Sequence, residues 1–172
     1  MLGKNVKKER TEKIDIFAVG GTIDKVYFDA KSEYKVGGPN VEKVLAELNL
    51  VVEYAVTSLM RKDSLDLTDD DRISIARAVE KSSSSKILIT HGTDTMVETA
   101  KALGTVGNKA VVLTGALEPA LFKTSDAAFN IGCALGALQG LTSGVYIAMN
   151  GKVFPVDNVR KNRSQNRFEE LG

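Results

Sequence analysis

Four nearly continuous apolar runs, IDIFAV (14–19), ILI (87–89), AVVL (110–113) and VYIAM (145–149), constrain this chain more than any other feature. A strand with one wet face alternates apolar and polar residues; these runs do not, so both of their faces must be covered. Between them lie segments of helical length and period: NVEKVLAELNL (40–50), residues 68–81, TMVETAKALGTV (95–106) and SDAAFNIGCALGALQ (125–139). Strand and helix in steady alternation are the pattern of a parallel sheet with helices on both faces. The expected fold class is therefore α/β: a doubly wound, mainly parallel sheet in a single domain, for which 172 residues suffice.

The element boundaries expected from the sequence are as follows. Residues 13–23 form a first strand ending at Gly20-Gly21, and residues 40–50 form a helix capped by Asn40. Residues 51–59 form the second strand. Thr68 with Asp71 makes a capping box that opens a helix through Lys81. Strands at 86–90 and 109–115 follow, and the last strand covers 144–154 with a possible turn at Asn150-Gly151. Gly132, Gly136 and Gly140 recur every fourth residue of the last helix. In a soluble chain that spacing suggests a face packed closely on the sheet or on another helix. Residues 1–12 are basic and polar and read as a frayed leader before a domain spanning 13–172.

Charge and composition remove several classes of function. A formal net charge of +1 gives no electrostatic reason to expect nucleic acid or an anionic membrane as partner. One cysteine, Cys133, precludes an internal disulfide and fits a reducing compartment. One histidine and one cysteine leave little for a zinc or iron site, and no EF-hand or P-loop pattern is present. No metal or cofactor is expected. The N-terminus has no apolar segment of the kind a secretory signal needs, and residues 127–141 are too short to span a bilayer. A soluble, cytoplasmic protein is the expectation.

Three strand ends carry unusual polar groups: GGTI after the first, THGTDT after the third and TGALEP after the fourth. In a doubly wound sheet such ends converge along one edge, so Thr22, Thr93 and Asp94 can share a crevice. The spacing of a dinucleotide fingerprint is absent, and no G-K-[ST] cradles a phosphate. A threonine hydroxyl becomes a nucleophile once a neighbouring base takes its proton. A lysine oriented by a carboxylate can be that base, and Lys109, just before AVVLTG, is placed to reach under the sheet edge towards Asp94. Taken singly, the residues favour the plainer reading: Thr22 and Thr93 as turn formers, Lys109 as a solvated charge and His91 as a structural residue.

Taken together, AVGGTIDKVY, SEYKVGG, ITHGTDTMVETA, KAVVLTGALEP and VYIAMNGKVF resemble the bacterial L-asparaginase family of threonine amidohydrolases. Five blocks match in the same order, across nearly all of the chain after Lys13. The resemblance implies that Thr22 is the nucleophile attacking the side-chain amide carbon. It implies that Thr93, Asp94 and Lys109 form a supporting triad, and that a loop tyrosine bonds the nucleophile. Tyr34 in SEYKVG matches that tyrosine and Tyr27 is its rival, both in a polar loop (23–36) expected to close as a lid. Ser64 falls where the family binds the substrate α-carboxylate, Asp94 would meet the α-ammonium, and Gly21 and Gly92 line the same position.

Two departures accompany the resemblance. The chain stops where larger members continue into a C-terminal domain, so it looks like a short, single-domain type lacking an acidic residue that a partner's domain lends to the substrate amine. Leu65 stands where some relatives have a polar residue. Both imply weak binding of L-asparagine, with a dimer or tetramer as the expected assembly. Two other readings use the same residues: a non-catalytic amino-acid-binding or regulatory module, and the amide-hydrolysing subunit of a tRNA-dependent amidotransferase.

Overall fold

The computed structural model describes residues 13–28 and 33–172. The expected leader, 1–12, lies outside the described residues. A six-stranded sheet runs through the molecule. Its strands are β1 (Ile14–Gly20), β4 (Tyr54–Lys62), β5 (Lys86–Thr90), β6 (Ala110–Thr114), β7 (Gly144–Met149) and β8 (Lys152–Pro155). They lie side by side in the order β4-β1-β5-β6-β7-β8. The first five in that order are mutually parallel and β8 is antiparallel to β7. The apolar runs occupy the middle of the sheet because only there are both faces covered: β5 and β6 are buried almost throughout.

Alternate side chains of each strand feed two cores. Phe17, Ile87, Ile89, Val111 and Leu113 meet α2 (Asp69–Lys81) and α3 (Met96–Ala102) through Ile75, Val79, Met96 and Ala100. Ile16, Leu88 and Val112 meet α1 (Asn40–Ala46) and α4 (Ala127–Gly140) through Val41, Leu45, Ile131 and Leu138. Helices on both faces of a mainly parallel sheet make this an α/β fold, as the sequence pattern predicts.

Local signals are resolved in the same terms. Thr68 Oγ1 accepts from Asp71 N at 3.3 Å and Asp71 Oδ2 accepts from Thr68 N at 2.9 Å, so the expected capping box opens α2. Asn150 and Gly151 both have positive φ (54° and 76°) and join Met149 to its partner Lys152. They form the two-residue hairpin turn favoured by Asn-Gly, so the last apolar run turns at the place the sequence offers and forms a hairpin.

Other expectations shift. The strand expected at 51–59 lies at Tyr54–Lys62, set by its register with β1, in which Ile14 pairs with Tyr54. The helix expected to run to 106 ends at Ala102, with Gly104 at φ 59° behind it. Asn40 does not cap α1 with its own side chain. Asp24, sixteen residues upstream, accepts from Asn40 N at 2.7 Å and caps it instead. The glycine stripe of α4 contradicts the close-packing expectation: Gly132, Gly136 and Gly140 are exposed, and a Cβ at any of them would meet nothing within 4 Å.

Candidate active site

The carboxyl ends of β1, β4 and β5 meet at one point, and glycine makes the meeting possible. A Cβ on Gly21 would collide with Gly92 Cα and N, and a Cβ on Gly92 would lie 2.6 Å from Ser64 Cβ and Oγ. Gly21 also has φ 89°, a conformation open to glycine at little cost. Thr22 and Thr93 each follow one of these two touching glycines. The structure thus brings Gly21, Thr22, Ser64, Gly92, Thr93 and Asp94 to a common edge, where open α/β sheets bind ligands.

Thr22 is the first residue of a 3₁₀ turn, Thr22–Asp24, held from three directions. Gly21 N donates to Lys62 O at 2.9 Å, Ala120 N donates to Ile23 O at 3.1 Å, and Asn40 Nδ2 donates to Ile23 O at 3.2 Å. Ser64 begins a second turn, Ser64–Asp66. Its carbonyl accepts from Thr95 Oγ1 at 2.7 Å, while its own hydroxyl is buried with no hydrogen-bond partner among the described residues. Burying a hydroxyl unpaired is costly, and a polar ligand group that reached it would relieve that cost. Leu65 beside it is exposed.

Lys109 is not part of this cluster. It precedes β6 at the amino end of the sheet, where its carbonyl accepts from Gly144 N at 2.9 Å. Ala110 pairs with Lys86 and Thr114 with Thr90, so the length of β6 separates Lys109 from the level of Thr93. Five residues at roughly 3.3 Å each amount to about 16 Å. The side chain lines a groove on the far side, with Arg72, Arg77 and Val106.

The lysine at the site is Lys161. Its Nζ donates to Thr93 Oγ1 at 2.8 Å and to Asp94 Oδ1 at 2.7 Å, and its side chain is 9% exposed. It sits on β9 (Arg160–Asn162), antiparallel to β10 (Arg167–Glu169) with Lys161 opposite Phe168. Phe168 is buried in the core beside α2 and α3, and its N–H donates to Asn150 Oδ1 at 2.8 Å. Glu169 closes the hairpin through Arg160 and Asn162. The sequence pattern assigns no element to residues 156–169. The signal that reveals a hairpin is weak: apolar Val159 and Phe168 alternating with polar neighbours on either side of an Asn-Arg-Ser-Gln-Asn turn.

Tyr27 and Tyr34 lie on a second hairpin, β2 (Lys25–Phe28) with β3 (Glu33–Val36), as a cross-strand pair. Their rings meet edge to face at 5.4 Å, and Tyr34 also contacts Phe122 at 6.0 Å. Both are about half exposed, at 54% and 50%. His91 is fully buried; its Nδ1 lies 2.7 Å from Gly92 O, and burial holds its pKa down at about 4, so it is neutral near pH 7. Among the described residues no three His, Cys, Asp or Glu side chains are placed to hold a metal ion.

This constellation coincides with a match to the family model "Asparaginase, N-terminal" over residues 13–169. The chain belongs to the asparaginase family. A relative named "Probable L-asparaginase periplasmic" from Haemophilus influenzae is 32% identical over 159 residues, covering 86% of this chain and 46% of that protein. A component of the glutamyl-tRNA(Gln) amidotransferase from Methanococcus maripaludis is 28% identical over 158 residues, covering 85% and 37%. In structure, the thermostable L-asparaginase from Thermococcus kodakarensis superposes with a TM-score of 0.83 at 26% identity, over 92% of this chain and 51% of that one. The chain therefore spans about half the length, or less, of these asparaginase-family relatives.

Proposed function

We propose that this asparaginase-family chain is an amidohydrolase that converts L-asparagine to L-aspartate and ammonia through Thr22. The observation that carries the reading is the bonding of Lys161 to both Thr93 and Asp94, next to the glycine contact that brings Thr22 beside them. In the proposed sequence, Thr22 Oγ attacks the side-chain amide carbon. The Thr22 hydroxyl proton passes to the amide nitrogen as the C–N bond breaks, ammonia departs, and an ester to Thr22 remains. Water then attacks the ester, and its proton is relayed through the Thr93 hydroxyl, which Lys161 holds, to Thr22 Oγ; the ester C–O bond breaks, the Thr22 hydroxyl is restored and L-aspartate leaves. Asp94 orients the Lys161 amine and faces the substrate α-ammonium, while the unpartnered Ser64 hydroxyl receives the α-carboxylate. Tyr34 or Tyr27 reaches Thr22 from the β2–β3 hairpin.

The amidotransferase relative sustains a second reading, in which the same site hydrolyses the amide of glutamine and passes the ammonia on. The experiment that separates the two is ammonia release by the purified protein with L-asparagine and with L-glutamine as separate substrates. Faster turnover of asparagine supports the first reading; preference for glutamine favours the second. No release from either would favour a binding module.

A cytoplasmic location and a homodimer or homotetramer complete the proposal. The single cysteine supports the former. The exposed rings of Tyr27, Tyr34 and Phe122, which touch in series, support the latter, since contiguous apolar surface is usually covered. Light scattering at micromolar concentration reads the assembly directly.

A further inference from the structure

Asp24 is a buried carboxylate two residues beyond the candidate nucleophile, and the reaction above gives it no task. It is 1% exposed. Its Oδ1 accepts from Asn40 N at 2.7 Å, and Asn40 Nδ2 returns a bond to Ile23 O at 3.2 Å. Its carbonyl accepts from Gly37 N at 2.8 Å, which closes the base of the β2–β3 hairpin. The Thr22 turn, the hairpin carrying both tyrosines and the start of α1 are therefore tied together at this one residue.

We propose that Asp24 is a positioning residue of this site: its ionised carboxylate clamps the Thr22 turn to α1, and turnover follows its state of ionisation. The inference rests on the amidohydrolase reading. A carboxylate accepting an amide hydrogen makes a charge-assisted bond about twice as strong as the neutral bond left after protonation. Protonation weakens that bond within the still-buried site, so the segment that aims Thr22 and carries the β2–β3 hairpin is held less firmly, without a change in any substrate contact.

Among the described residues, the charged groups on the surrounding elements are engaged or face solvent. Lys25 pairs with Asp63 at 2.9 Å, Lys35 with Glu33 at 3.2 Å, and Glu118 accepts from Thr124; Glu42 and Lys43 of α1 are exposed. Burial is the dominant influence and lifts the Asp24 pKa to about 6, against the lowering effect of the Asn40 bond. Ionisation therefore changes within a range where enzymes are readily assayed.

The test compares the wild-type chain with Asp24→Asn and Asp24→Ala by ammonia release from L-asparagine between pH 5 and 8, and by NMR of the Asn40 amide proton over the same range. In the wild type, the Asn40 amide shift titrates near pH 6 and kcat falls on the acid side of the same midpoint. In D24N the amide shift is flat. Its kcat lies about three- to tenfold below wild type at pH 7.5, converges with wild type at pH 5, and its KM changes by less than about twofold, because a neutral acceptor replaces the charged one without altering substrate contacts. D24A is slower than D24N at every pH. A flat wild-type amide shift would overturn the clamp. A titrating shift with an acid limb unchanged in D24N would overturn its link to turnover. If the wild type releases no ammonia, the amidohydrolase reading and that link fail together, while the Asn40 titration still decides the clamp.

Discussion

Gly21 and Gly92 sit in contact at the centre of the site, so neither position has room for a methyl group. Gly92→Ala should cost at least tenfold in turnover by separating β5 from Ser64. Gly136 offers the opposite case. It is exposed on α4 with open space around it, and glycine inside a helix is less stable than alanine by about 0.5–1 kcal/mol. Gly136→Ala should raise stability by about that amount in urea unfolding; a loss would restore the close-packed face that the spacing alone suggests. Two buried titrating groups give a pH prediction. The folded-state pKa of His91 is lowered to about 4, so its contribution to stability is lost as pH falls from about 6.5 to 4. That of Asp24 is raised to about 6 from 3.8, so stability is lost as pH rises from about 4 to 6. Each shift is worth about 3 kcal/mol, and the two oppose each other across the same window. Wild-type stability should change little between pH 4 and 6.5 from this pair, whereas Asp24→Asn should lose stability steeply as pH falls. Parallel unfolding curves for the two proteins at pH 4.5 and 6.5 would contradict that assignment.

At the scale of elements, what the sequence discloses depends on how far away the deciding partner lies. The central strands are legible because burial on both faces forces unbroken apolar runs, and the α2 capping box and the Asn-Gly turn are legible because their partners lie within three residues. The β4 boundaries, the cap of α1 and the lysine of the site depend on residues far away in sequence. Lys161 lies 67 residues from Asp94, on a short hairpin held by Asn150 and Phe168, so nothing local distinguishes it from a solvated charge. Asn150→Ala should therefore lower turnover several-fold by loosening the hairpin, while thermal unfolding shows the sheet intact. The β2–β3 hairpin poses a sharper question. Tyr27 and Tyr34 face each other across it, and the proposed reaction calls on one of their hydroxyls. Of Tyr27→Phe and Tyr34→Phe, one should lose turnover by more than about tenfold and the other by little; small, equal losses would remove the tyrosine from the reaction.

For the molecule as a whole, the sheet gathers Thr22, Ser64, Thr93 and Asp94 from three strand ends, and a hairpin beyond the sheet supplies Lys161. The opposite edge carries Lys109, in a groove with no part in the proposed chemistry. The most direct test is ammonia release from L-asparagine by four proteins side by side: the wild type, Thr22→Ala, Lys161→Met and Lys109→Met. The account predicts turnover by the wild type and by the Lys109 variant at similar rates, with losses of at least about a hundredfold for the Thr22 and Lys161 variants, as expected when a nucleophile or its proton-transfer partner is removed. Wild-type rates from folded Thr22→Ala or Lys161→Met, or a collapse confined to Lys109→Met, would contradict it.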